Sequence, residues 1–190
     1  MDRRAAVSKL LGQRDGALVV TGLGSPSYDV HASGDRDDNY YLWGAMGSAA
    51  LTGLGLAQAQ PDKKVLVITG DGEMLMGFGA LATIAVARPR NLDIVVLDNH
   101  HYGETGMQGS HTGRGVSLAD AAAACGFERT GTFTDLSQLD GLCSQLKQAR
   151  QGPGFFVLKI VAENLQRSLP PRDATYVKTR FRANLGLHPC

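Results

Sequence analysis

The chain has only three cysteines, Cys125, Cys143 and Cys190, and no C-x-x-C pair. An odd, scattered set supports neither a disulfide framework nor a zinc site, so a reducing cytoplasm is the expected compartment. Excess charge is missing as well. A formal net charge of +1 gives no general pull toward nucleic acid or an acidic membrane. The one local excess is basic and lies near the end, at Arg172, Lys178, Arg180 and Arg182. These residues are expected on the wet face of a terminal helix. No apolar run reaches membrane-spanning length, and residues 1–11 are charged and lack the apolar stretch of a secretory signal. Repeats, low-complexity tracts and linkers are absent too. The expectation is a soluble, intracellular protein of one domain over residues 1–190, long enough to bury roughly 70% of its unfolded surface.

What is present is alternation. Residues 17–21, 64–69, 92–97 and 155–161 are short apolar runs without polar alternation, as expected of strands covered on both faces of a parallel sheet. Helical stretches separate them, at 47–60 (stopped by Pro61), 73–87, 118–125 and 136–149. The 73–87 stretch is apolar nearly all round, which predicts deep burial. This β-α-β pattern predicts an α/β fold with a doubly wound, mostly parallel sheet and helices on both faces. Such sheets bind ligands outside the carboxyl ends of their strands. Here those ends carry Gly22-Leu23-Gly24-Ser25, Gly70-Asp71-Gly72 and Asp98-Asn99.

Glycines on both sides of Asp71 let the backbone turn sharply and let a ligand approach. Asp71 then sits just before a helix N-terminus, where free N–H groups attract phosphate. A carboxylate beside a phosphate is repelled unless a divalent cation bridges them. Magnesium needs oxygen ligands and takes few of them from protein. Asn99, at the end of the next apolar strand, offers an amide oxygen. Read singly, Asp71 is equally a helix cap and Asp98-Asn99 equally the start of a turn.

Together, Gly70-Asp71-Gly72, the apolar interval and Asp98-Asn99 resemble the signature of thiamine-diphosphate-dependent enzymes, which pair Gly-Asp-Gly with Asn-Asn. Residues 80–84 (Ala-Leu-Ala-Thr-Ile) and Leu97-Asp98-Asn99 most resemble phosphonopyruvate and sulfopyruvate decarboxylases, and the resemblance spans about residues 17 to 161. It implies thiamine diphosphate and magnesium as cofactors. It also implies a metal shell of Asp71, Asn99 and the backbone carbonyl of His101. The remaining cofactor contacts it implies are Gly24, Ser25, Gly70, Gly72, Glu73, Met74, Tyr102 and Gly103. Gly44-Ala45-Met46-Gly47 resembles the segment that receives the aminopyrimidine ring. Met46 would prop the bent cofactor and the Gly44 carbonyl would accept from its amino group. Met46 read alone is ordinary core.

The chain departs from the pattern in several places. Asp98 replaces the first Asn. Glu73 stands where a small residue is usual, and an extra carboxylate there weakens diphosphate binding unless it points away. Met107 and Gly109-Ser110-His111 alter a loop that covers the reacting end of the cofactor in the family. Glu104, His101 and His111 are the acid–base candidates. The family's pyrimidine-activating glutamate belongs to a second α/β domain, for which this length leaves no room. The resemblance therefore implies one subunit of a split 2-oxo acid decarboxylase, with a separate pyrimidine-binding partner in a hetero-oligomer. A carboligase subunit resembling acetolactate synthase and a non-catalytic cofactor-binding subunit are the alternatives. A dinucleotide module is a third: residues 77–82 fit a loose G-x-G-x-x-A pattern, but inside a predicted helix rather than directly after a strand.

Overall fold

The computed structural model describes residues 1–148 and 151–187. Cys190 and the last residue of the expected 136–149 helix lie outside the described residues. Cys125 and Cys143 are both free thiols, one exposed and one buried.

Six parallel strands form the central sheet: β1 (Leu18–Thr21), β2 (Asn39–Tyr41), β3 (Val65–Gly70), β4 (Leu92–Asp98), β7 (Arg129–Phe133) and β8 (Gly154–Lys159). Their order is β2-β1-β3-β4-β8-β7. The chain moves outward from β1 to β2 and then returns to place β3 on the other side of β1. That reversal opens a crevice between the carboxyl ends of β1 and β3. A small antiparallel hairpin, β5 (His101–Tyr102) with β6 (Gln108–Gly109), stands beyond the tip of β4.

The period of two divides the strands between two cores. Leu18, Val20, Val65, Val67, Ile94, Val96, Phe155 and Val157 face one side. There they meet α3 (Ala49–Ala59), α5 (Ala80–Ala87), α6 (Leu118–Cys125) and Phe181 of α8 (Ala174–Asn184). Val19, Leu66, Ile68, Val95, Leu97, Phe156 and Leu158 face the other, against α1 (Arg3–Gly12), α2 (Ser25–Ala32) and α7 (Leu139–Lys147). Both faces of β3 and β4 are thus dry, which accounts for their unbroken apolar runs.

Two expectations need correction. The stretch 73–87 is not one deeply buried helix. It is α4 (Asp71–Met76) and α5, broken at Gly77–Gly79, and Met76, Phe78 and Val86 are exposed. The break lets the Gly77 backbone press on Gly47, since a Cβ at Gly77 would lie 2.0 Å from the Gly47 carbonyl oxygen. Gly77 thus serves packing between α4 and the loop before α3, and it comes seven residues after the end of β3 rather than directly after a strand, which removes the dinucleotide fingerprint. Nor is Arg180 on a wet face. Its guanidinium is largely buried, donating to both oxygens of Asp35 at 2.7 and 2.9 Å, and it binds α8 to the β2 edge. No described helix is long and apolar enough to cross a membrane.

Candidate active site: the cleft at the strand tips

A cleft of about 620 Å³, counting its open mouth, lies at the crevice. Its walls include Ser25, Met46, Gly70, Asp71, Gly72, Asn99, His101, Tyr102, Gly103 and Glu104 from the expected set. Four separate segments converge here because β1, β3 and β4 are neighbours and all end on the same side.

At the tip of β3, Asp71 is almost fully buried. Its Oδ2 accepts from Ser110 Oγ at 2.5 Å and from Thr112 Oγ1 at 3.1 Å. Burial pushes the carboxyl above its ordinary pKa and nearby Asp98 pushes it the same way, while the two hydroxyls oppose the rise. Among the described residues Asp71 forms no ion pair. A bound metal ion would supply the charge that favours the ionised form. Gly72 has to be glycine, because a Cβ would lie 2.7 Å from the Tyr102 ring.

At the tip of β4, Asn99 Oδ1 accepts from the His101 N–H at 2.9 Å, an Asx turn that leaves a second lone pair on the amide oxygen. His101 Nδ1 donates to the Asn99 carbonyl at 2.8 Å, so the ring proton is on Nδ1 and a neutral His101 presents Nε2 as an acceptor. Asp98 turns away from the cleft. It pairs with Lys159 and accepts from Thr112 Oγ1 at 2.7 Å and from the His100 N–H at 3.0 Å. The aspartate that replaces the family's first Asn thus belongs to an ion pair within the sheet.

Glu73 also lines the cleft, but both its oxygens are held by donors of the chain. Its Oε2 accepts from the Leu23 N–H at 3.0 Å and from Thr69 Oγ1 at 2.9 Å, and its Oε1 accepts from the Ala49 N–H at 3.4 Å. Burial raises its pKa and these donors oppose the rise. Glu73 therefore staples the β1–α2 loop to the start of α3. Met74 points its side chain into the core, so only its backbone is available to a ligand. Met46 is 38% exposed at the cleft, not in the core. Gly24 and Gly44 have φ of +80° and +73° and present backbone rather than side chain.

Of the acid–base candidates, His101 and Glu104 line the cleft and His111 does not. His111 Nδ1 hydrogen-bonds the Tyr102 hydroxyl at 2.7 Å outside it. Glu104 lies over Gly24, where a Cβ would come within 2.7 Å of its side chain, and pairs with Arg167 at 3.4 Å. Ser110, Thr112, Lys159 and the cleft-lining Arg3 escaped sequence reasoning, because no local pattern marks residues that meet only through the fold. No cluster of three or more His, Cys, Asp or Glu suited to a metal occurs among the described residues. The carboxylate of Asp71, the amide of Asn99 and a backbone carbonyl of the next loop would make a hard-oxygen set, the chemistry that suits magnesium.

Residues 27–160 match the family model described as thiamine pyrophosphate enzyme, C-terminal TPP binding domain. The sulfopyruvate decarboxylase subunit beta of Methanothermobacter thermautotrophicus is 33% identical, across 95% of this chain and 94% of that protein. The sulfopyruvate decarboxylase subunit beta of Methanocaldococcus jannaschii is 43% identical, across 60% of this chain and 61% of its own. The phosphonopyruvate decarboxylase of Streptomyces viridochromogenes is 40% identical, across 98% of this chain and 47% of its own. The chain therefore spans about half the length of such single-chain relatives and nearly all of the M. thermautotrophicus subunit. Among solved structures, a thiamin diphosphate-dependent enzyme from Mycobacterium smegmatis shares the fold with a TM-score of 0.68, at 23% identity over 84% of this chain and 32% of that one.

Proposed function

This chain belongs to the thiamine pyrophosphate enzymes, through their C-terminal TPP binding domain, and from that premise we propose that it is the diphosphate- and magnesium-binding subunit of a 2-oxo acid decarboxylase. Sulfopyruvate or phosphonopyruvate is the proposed substrate class, since the relatives bearing those names cover nearly all of the chain. The observation that carries the reading is a buried Asp71 with no ion pair among the described residues, beside Asn99 at the next strand tip. In this reading, Asp71 Oδ1, Asn99 Oδ1 and the His101 carbonyl hold the magnesium ion. The β1–α2 loop at Gly24-Ser25 and the N–H groups opening α4 at Gly72, Glu73 and Met74 receive the diphosphate. Met46 supports the bend of the cofactor and the Gly44 carbonyl accepts from its amino group. Tyr102 and Gly103 complete the wall.

Bound thiamine diphosphate supplies a carbanion that adds to the 2-oxo carbon and an electron sink for the charge left when CO2 departs. The chain's own work is to anchor and orient. His101 and Glu104 stand at the cleft and are the groups available to move a proton, with His111 acting through Tyr102. The whole of 1–190 serves as one diphosphate-binding domain in the cytoplasm. A separate pyrimidine-binding subunit supplies the activating glutamate, so the site lies between two polypeptides and the isolated subunit is inactive.

Co-expression with a candidate pyrimidine-binding chain, followed by product analysis, tests this. Release of CO2 and an aldehyde from sulfopyruvate or phosphonopyruvate is expected. Formation of an acetolactate-type product from pyruvate would instead select the carboligase alternative. Cofactor uptake without turnover by any pairing would select a non-catalytic subunit.

A further inference from the structure

Arg3 opens α1, well before the first strand, and its side chain lines the cleft while being only 4% exposed. Two contacts hold it there. Asp2 caps the helix by accepting from the Ala5 N–H at 2.6 Å. The preceding residue is tied to the chain leaving β8, where the Val161 N–H donates to the Met1 carbonyl at 3.0 Å. Arg3 Nε bonds Asp29 of α2. Its Nη1 and Nη2 have no hydrogen-bond partner among the described residues, yet neither is sealed from solvent.

Within this ion pair one carboxylate serves two cations, although Asp71, Glu73 and Glu104 line the same cleft. Asp29 is the carboxylate for two guanidinium groups, since Arg4 Nε also bonds it at 3.2 Å. A buried cation with open donors is costly unless a counter-charge arrives. Guanidinium offers a planar fork suited to phosphoryl oxygens. Arg3, Leu97, Ile160 and Asp71 are buried residues of the cleft wall, whereas Met46 and Glu104 are exposed.

We propose that Arg3 is an anion-binding residue, donating Nη1 and Nη2 to the terminal phosphoryl group of thiamine diphosphate. This rests on the cofactor reading above, and adds to it a side-chain charge contact where loop backbone alone had been assigned. The carboxylate or acidic tail of the substrate is the other anion that could reach the same fork. The depth shared with Asp71, which anchors the diphosphate, favours the cofactor.

Calorimetric titration of the assembled enzyme with thiamine diphosphate and magnesium tests the assignment, with thiamine monophosphate as the shortened probe. Arg3→Met should bind the diphosphate roughly ten- to a hundredfold more weakly, the scale of losing charge-assisted hydrogen bonds. It should bind the monophosphate almost as wild type does. Arg3→Lys, which keeps the charge without the fork, should fall between. Asp29→Asn breaks the same ion pair but keeps the guanidinium, and should stay within about threefold of wild type on the same reasoning. Equal losses in Arg3→Met and Asp29→Asn would make Arg3 a strut between α1 and α2 and overturn the proposal. So would unchanged diphosphate affinity in both Arg3 variants, or a change confined to KM for the 2-oxo acid. A wild-type enzyme that takes up no thiamine diphosphate would defeat the cofactor reading itself.

Discussion

The tips of β3 and β4 lie side by side, and a buried aspartate stands at each, Asp71 just after β3 and Asp98 as the last residue of β4, yet the two are finished differently. Asp98 at the β4 tip has Lys159 as its counter-ion, with a hydroxyl and a backbone N–H completing its acceptors. Asp71 at the β3 tip has, among the described residues, the hydroxyls of Ser110 and Thr112 and its own backbone N–H, and no ion pair. Thr112 reaches both acids but has a single proton to donate. One tip is therefore electrostatically complete and holds the sheet together. The other is left one cation short, and it is the one that faces the cleft. Two residues of the same type, equally buried, can thus be assigned opposite tasks from their partners alone.

The comparison can be broken at its strongest point first. Asp71→Ala should weaken magnesium-dependent uptake of thiamine diphosphate by the assembled enzyme at least about a hundredfold, the scale of losing a charged metal ligand. The fold should survive, with the far-ultraviolet dichroism spectrum unchanged. Undiminished affinity in calorimetry would end the metal assignment. Asp98→Ala should do the reverse. It leaves Lys159 half-buried and unpaired, for a loss of about 2–3 kcal/mol in urea unfolding, with cofactor affinity reduced far less. If the two variants exchanged these phenotypes, the division of labour would be wrong.

Smaller effects sharpen the picture. Asp71→Asn removes an uncompensated charge from the metal-free chain. Its melting temperature should rise by a few degrees, equivalent to about 1 kcal/mol, even as metal binding is lost. A fall in melting temperature would mean that the hydroxyls already satisfy the acid. Thr112→Val should cost about 1 kcal/mol, because each carboxylate loses one shared donor. Met46→Ala should leave stability within about 0.5 kcal/mol, as expected for a partly exposed side chain. Turnover by the assembled enzyme should nonetheless fall more than cofactor affinity does. Equal losses would reduce Met46 to packing.

The legible part of the fold was the part buried on both sides. β1, β3, β4 and β8 stand out because each carries apolar residues to both cores. β2 (Asn-Tyr-Tyr) and β7 (Arg-Thr-Gly-Thr-Phe) stayed hidden because they are the sheet edges, β2 only three residues long with a polar start and β7 half wet. The break in 73–87 was missed because apolar content masked Gly77, whose contact with Gly47 comes from a distant loop. In the site, Asp71 and Asn99 were readable because glycine and strand-end context mark them locally. Ser110, Thr112, Lys159 and Arg3 were not, since each gains its meaning only from a carboxylate many residues away. Glu73 was read as a hazard. Its actual partners, the Thr69 hydroxyl and the backbone N–H groups of Leu23 and Ala49, have no signature in sequence.

That same glutamate constrains evolution of the chain. A Cβ at Gly22 would lie 1.7 Å from Glu73 Oε2, so nothing larger than glycine fits at 22 while the acid remains. Shortening residue 73 alone would still leave Thr69 Oγ1 at 2.7 Å from a Cβ at 22, so positions 22, 69 and 73 should drift together rather than singly. A lineage changing only one would either collide or strand the amides of Leu23 and Ala49.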